Sequence, residues 1–162
     1  MLFRSAATAE KELRRALELG VPLETVAIDL GEAMLQLGQF DDLLEEIRPG
    51  LVDDEQDRIE ILLLRGDATI GLQLPESARD LYVEVLELDP ANFRARLGLA
   101  STYVAQQQYE EARRVLDDAL AANPDSVSAW LASGSLHLTT GDIESAVADL
   151  VKAEELAEAA GE

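Results

Sequence analysis

The sequence predicts an all-α fold, a solenoid built from helical hairpins with about nine helices in all. Three observations carry this. The first is a period. Pro90 and Pro124 close the phrases LELDPANF and LAANPDSV, and the same 34-residue step aligns Ala78, Ala112 and Ala146, then Tyr82, Leu116 and Leu150, then Phe93 with Val127. The second is composition. Hydrophobic residues make up 48% of the chain but aromatics only 4%, so the core must be built mainly from Ala and Leu. Both are strong helix formers, and the long β-branched runs of a sheet protein are missing. The third is length. The chain has 162 residues, room for about four to five such units.

The elements follow in order. Residues 3–19 read as one helix, with Ala9, Leu13 and Ala16 in the slots of a hairpin's second helix and no first helix before it. Residues 1–20 are therefore expected to be half of a repeat, and the chain a piece of a longer array. The plainer alternative is an ordinary N-terminal cap. Repeat 1 is expected over 22–50, carried by Ala27, Leu30, Gly31, Met34, Leu43 and Ile47, with its second helix cut short at Pro49-Gly50. Asp53 to Asp57 should open the next helix, within repeat 2 over 53–90, where Leu62, Gly66, Ala78, Tyr82 and Pro90 recur. Repeat 3 spans 91–124 with Leu99, Ala100, Tyr103, Ala112, Leu116, Ala119 and Pro124. Repeat 4 spans 125–160 with Trp130, Gly134, Ala146, Leu150 and Ala153.

Small residues at Gly31, Gly66, Ala100 and Gly134 should let the two helices of a hairpin approach closely. Bulky residues four apart on the second helix, with Ala between, should fill the gap to the neighbouring unit. Asp41, Glu110 and Asp142 put negative charge at helix starts, where the dipole favours it. Asp89 and Asn123 precede prolines and should end the helices before them.

These residues resemble the tetratricopeptide repeat, a 34-residue helix–turn–helix unit with W-x2-L-G-x2-Y, then A-x3-F, then P. The resemblance covers roughly residues 22 to 160. It implies a right-handed α-solenoid that binds protein rather than catalysing a reaction. Some slots depart from the pattern: Arg96 stands for Trp, Arg65 for the first Leu, Thr69 and His137 for Tyr, and Pro75 opens a second helix. The segments AEKELRRALELGVP, LGEAMLQLGQFDDLLEEIRPGL and LLLRGDATIGL are also similar to the repeat lipoproteins of bacterial exosortase (PEP-CTERM) systems. That second resemblance implies a role in exopolysaccharide production or protein sorting and a cell-envelope location. The segment itself leaves the compartment open, since a missing signal peptide says nothing of an excised piece; outside that second family the expectation is the cytoplasm.

Charge narrows the partner. There are 33 acidic against 13 basic residues, a net charge of -20. Such a field repels nucleic acids and anionic membrane surfaces and favours a neutral or basic protein. No stretch is long and apolar enough for membrane insertion of this segment. Homo-oligomerisation is left open.

Catalytic and cofactor chemistry finds no support. The chain has no cysteine and one histidine, His137, which falls in a packing slot. No zinc set follows from a single His, and neither phosphate-binding glycine motif occurs. Asp53 to Asp57 lacks the Gly and distal Glu of a calcium loop. No cofactor and no metal is expected.

A ligand would lie against the first helices of the hairpins. They are expected to line a concave groove, with groove-facing stripes at Ile28, Glu32, Leu35; Leu63, Asp67, Ile70; Leu97, Ser101, Val104; and Leu131, Ser135, Leu138, and with Thr25, Glu60, Arg94 and Ser128 three residues upstream. Glu32, Asp67, Arg94, Ser101 and Ser135 are the polar ligand candidates, and Leu63, Leu97 and Leu131 their apolar neighbours. Aliphatic positions at this spacing also serve repeat packing. The carboxylate-clamp subclass places Lys and Asn on this face. Here those slots hold Ile28, Leu63, Leu97 or Leu131 and Glu32, Asp67, Ser101 or Ser135, so a free C-terminal carboxylate is excluded as the ligand. The remaining alternative is a spacer or oligomerisation module with no groove ligand.

Overall fold

The computed structural model describes residues 2–161, with side chains described from residue 5 onward. Met1 and Glu162, which the expected first and last segments touch or adjoin, lie outside the described residues. Among the described residues there are nine α-helices and no strand. They are α1 Leu2–Glu18, α2 Leu23–Gln36, α3 Phe40–Glu46, α4 Glu55–Gly71, α5 Pro75–Leu88, α6 Phe93–Ala105, α7 Tyr109–Ala122, α8 Val127–Thr140 and α9 Ile143–Ala160. A 3₁₀ turn at Pro49–Leu51 follows α3. The all-α class and the helix number agree with the sequence.

Local chemistry sets the ends. Asp54 caps α4, its side chain accepting from the Gln56 and Asp57 amides at 2.9 and 3.1 Å. Asn92, Ser126 and Asp142 cap α6, α8 and α9 in the same way. Each cap satisfies one or two of the amides a helix start leaves without a partner. Pro75 stands at the first turn of α5, where its missing N–H costs nothing. Asp89 and Asn123 are the C-caps of α5 and α7.

The chain divides into two compact units, Met1–Pro90 and Ala91–Glu162. In the first, α1 lies on α2, α2 on α4, and α4 on both α3 and α5. Its core gathers Ala27, Leu30, Met34, Leu43, Ile47, Ile61 and Ala68. In the second, α6 pairs with α7 and α8 with α9, and α8 also lies on α6 and α7. Ala100, Ala112, Leu116 and Leu136 form its core.

One small–large pairing recurs in every hairpin. Gly31 faces Ile47, Gly66 faces Tyr82, and Gly134 faces Leu150, while Ala100 and Leu116 share the core of the second unit. In each case the large residue lies sixteen positions after the small one. A Cβ added at Gly66 would sit 2.7 Å from the Tyr82 ring, and one at Gly134 would sit 2.9 Å from Leu150. The close approach expected from the small slots is thus a steric requirement at both glycines.

Candidate protein-interaction surface

The second unit brings the predicted residues together best. Leu97 and Ser101 of α6 and Ser135 of α8 line one cleft of about 170 Å³, closed by Ala100, Val104, Leu116, Ala132 and Leu136. The helical step places Leu97, Ser101 and Val104 on one face of α6, and the same step sets Leu131, Ser135 and Leu138 on one face of α8. Leu131 is 48% exposed, while Arg94 stands exposed one turn before Leu97. The cleft walls are apolar, two hydroxyls sit at the rim, and no carboxylate lines it. Its volume is below the roughly 300–1,000 Å³ of small-molecule sites. It suits one aliphatic side chain of a bound segment rather than a cofactor.

The first unit treats its candidates differently. Glu32 is exposed on α2 and borders an open depression of about 440 Å³ between α1 and α2, shared with Glu12 and Asp29. Asp67 accepts a hydrogen bond from the Tyr82 hydroxyl at 2.6 Å, so its carboxylate ties α4 to α5. Leu63 departs from the expected groove: it is 1% exposed and belongs to the core. All of Ile59 and Ile61 to Leu64 are buried, because α4 is covered by α2, α3 and α5. A helix covered on that many sides has no apolar face left for a ligand.

Two polar arrangements escaped the sequence reading. In the first, Arg65 of α4 donates from one nitrogen to the Leu44 and Ile47 carbonyls at 2.7 and 2.8 Å. These are carbonyls at the end of α3, a helix of seven residues. Burial, and then the nearby Arg48, lower the Arg65 pKa from the usual arginine value. The Arg in an apolar slot is thus the C-cap of a truncated helix. A helix cut off after seven residues, with its last carbonyls open as at any helix end, followed by an unexpected cation in the next helix, was the available signal.

In the second, Asp149 of α9 is buried and accepts from the Ser133 hydroxyl at 2.6 Å, and His137 Nδ1 lies 2.8 Å from the same oxygen. Ser, His and Asp are present, but both donors converge on the carboxylate. No hydroxyl–imidazole bond forms, so no nucleophile is paired with a base. The network is a polar pin between α8 and α9. Its signal was an Asp at the position that Val115 holds one repeat earlier. Among the described residues no cluster of His, Cys, Asp and Glu suits a metal ion, and no helix is long and apolar enough to cross a membrane.

The fold defines a class: helical hairpins of the kind found in protein-interaction scaffolds. More specifically, two family models, both described as tetratricopeptide repeat, match residues 71–133 and 127–159, and the chain carries repeats of this family. Its fold is that of a protein-interaction scaffold. Among curated proteins it is similar to the chloroplastic PsbB mRNA maturation factor Mbb1 of Chlamydomonas reinhardtii, 40% identical over 45% of this chain and 11% of that protein. It is also similar to the BBSome complex member BBS4 of Bos taurus, 27% identical over 74% of this chain and 22% of that protein. The chain thus spans less than a quarter of the length of either relative.

Among solved structures, a thermophilic tetratricopeptide protein of Thermus thermophilus superposes with a TM-score of 0.82 at 21% identity, over 94% of this chain and 84% of that one. MamA of Desulfovibrio magneticus superposes with a TM-score of 0.69 at 16% identity, over 95% and 96% of the two chains. At these identities the likeness establishes the fold.

Proposed function

We propose that the chain is a non-enzymatic scaffold whose α6–α8 cleft holds a segment of a neutral or basic protein. One observation carries this reading: Leu97 and Ser101 of α6 and Ser135 of α8 line a single uncharged apolar cleft. An aliphatic side chain would enter between Leu97 and Val104, and the serine hydroxyls would take the hydrogen bonds of the bound backbone. The chain's charge of -20 favours basic residues flanking that anchor and speeds their encounter. A bacterial exopolysaccharide or exosortase setting is a narrower form of the proposal and rests on the sequence resemblance alone.

The test is a pull-down of cross-linked partners with the native chain and with Val104→Asp and Leu97→Asp, each of which puts a charge into the apolar wall of the cleft. Loss of a partner with unchanged circular dichroism supports the cleft. Retention of every partner by both variants sinks it. In that case a spacer without a groove ligand becomes the better reading, one that the buried Leu63 and the internally bonded Asp67 already favour for the first unit.

A further inference from the structure

The last helix carries an apolar stripe that repeat packing does not use. Ile143, Val147 and Val151 of α9 stand at i, i+4 and i+8 and are 58%, 55% and 47% exposed. The face of α9 turned to α8 is a different one, where Ala146, Asp149 and Ala153 are buried. The stripe is therefore not a frayed edge of the hairpin core.

Val147 and Val151 are not awaiting a further hairpin either, although the station of Ile143 is half-buried against the core where Tyr109 holds it in α7. The same stations on α7, thirty-four residues earlier, are Tyr109, Arg113 and Asp117. Helix α7 is followed by a hairpin and packs on α8, yet Arg113 and Asp117 remain exposed. A hairpin stacked on α9 in the same way would leave Val147 and Val151 in water as well. In α7 these two stations are charged, as a solvated face requires. In α9 they are both valine.

Charge selects the occupant. Past Val151, the next turns of α9 expose Glu154, Glu155 and Glu158, and Glu144 stands beside Ile143. The basic residue among them, Lys152, is 3.7 Å from Glu155, so one cation faces four carboxylates. A second copy of this chain would bring another charge of -20 against this acidic rim, at a cost that like-charge contact imposes on any interface.

The geometry points to the α9 stripe as a second docking surface, distinct from the α6–α8 cleft, that takes an amphipathic helix of a partner protein. That helix would carry aliphatic residues at i and i+4 against Val147 and Val151 and Lys or Arg toward Glu154 and Glu155. Helices recognised in this way read out as apolar anchors one turn apart.

The experiment uses the whole chain and a fluorescein-labelled synthetic helix, leucine on one face and lysine on the other, with its glutamate counterpart as control. Anisotropy is measured at about 0.15 M salt, where charges beyond ~8 Å are screened. The double variant Val147→Ser, Val151→Ser removes the apolar contact without changing charge. It should weaken binding of the lysine helix about tenfold. Glu154→Gln with Glu155→Gln should weaken it a few-fold, and Leu97→Asp should leave it within about twofold, since distant sites act independently. Both serine positions are half-exposed, and the variants are accepted only with unchanged circular dichroism. The proposal is overturned by any of three results: equal binding of the glutamate helix, binding indifferent to the double serine variant, or a native dimer in sedimentation that the double serine variant abolishes. The last would mean that a second copy covers the stripe.

Discussion

At Gly66 the α4 backbone approaches the Tyr82 ring so closely that a methyl group has no room. Alanine would raise helix propensity there by about 1 kcal/mol, but overpacking against a rigid ring costs about 1–3 kcal/mol. The ring cannot simply swing away, because its hydroxyl is held by Asp67 at 2.6 Å. Gly66→Ala is therefore expected to lower the urea midpoint, and an unchanged or raised midpoint would show that the ring yields freely. Asp149 makes the opposite kind of demand. Replacing it with Val, the residue one repeat earlier, strands the Ser133 hydroxyl and the His137 ring, and each buried unpaired group costs about 1–3 kcal/mol. Adding Ser133→Ala and His137→Leu should restore most of that loss, since an all-apolar replacement of a buried polar set is often neutral. Denaturation of the single and triple variants decides it: equal losses in both would mean that the polar pin has no such accounting. The two sites also differ in how far sequence reached them. Gly66 was legible because a small residue recurs at one station in every hairpin. Asp149 was not, because its partners lie on another helix and only burial reveals that the three must meet.

At the scale of the element, α3 depends on a residue outside itself. Its seven residues are too few to stand alone, since isolated helices shorter than about 12 residues are marginal in water. Arg65 takes over two of its terminal carbonyls. Arg14 of α1 also grips Glu46, both guanidinium nitrogens at 3.2 Å, while bonding Glu10 at 3.1 Å. These bonds, to Glu46 foremost, raise the Arg14 pKa. Arg65→Leu would restore the repeat's usual residue, yet it should destabilise the first unit by about 1–2 kcal/mol, since hydrogen bonds from a charged donor are lost. Hydrogen exchange at the Ile47 amide should rise with it, and unchanged exchange would assign α3 to packing alone. The start of α9 is titratable instead. Asp142 accepts from the Ser145 amide at 3.1 Å. That hydrogen bonding to Ser145 lowers its pKa, with smaller help from His137 and Arg113. A depressed carboxyl pKa adds stability that is present above the unfolded value and lost as pH falls through the folded value. Exchange at Ser145 should therefore accelerate below the ordinary carboxylate range, and Asp142→Ala should remove that pH step. Repeat position identifies the helices themselves, whereas the truncation of α3 makes its cap invisible to any pattern taken from the full repeats.

For the whole molecule, the deciding quantity is charge. Thirteen basic residues stand against 33 acidic ones, and Arg14, Arg58, Arg79, Arg114 and Lys152 already lie within 4 Å of carboxylates. The remaining carboxylates repel one another, which favours solubility and opposes compaction. The sign of the acidity was readable from composition, and so was the exclusion of polyanionic partners. Composition could not show which carboxylates are already committed inside the fold, as those of Asp67 and Asp149 are. Salt provides the measurement. It weakens exposed ion pairs, each worth about 1 kcal/mol or less, and it weakens the summed repulsion of the net charge. With a net charge of -20 the second effect should win, because repulsion acts among many carboxylates while the ion pairs of Arg14, Arg58, Arg79, Arg114 and Lys152 are mostly exposed. Raising sodium chloride from about 0.02 M to about 0.5 M shortens the screening length from roughly 20 Å to roughly 4 Å. The urea midpoint should rise across that range. A midpoint that falls would mean that the ion pairs, led by the Arg14 grip on Glu10 and Glu46, hold more stability than the net charge removes.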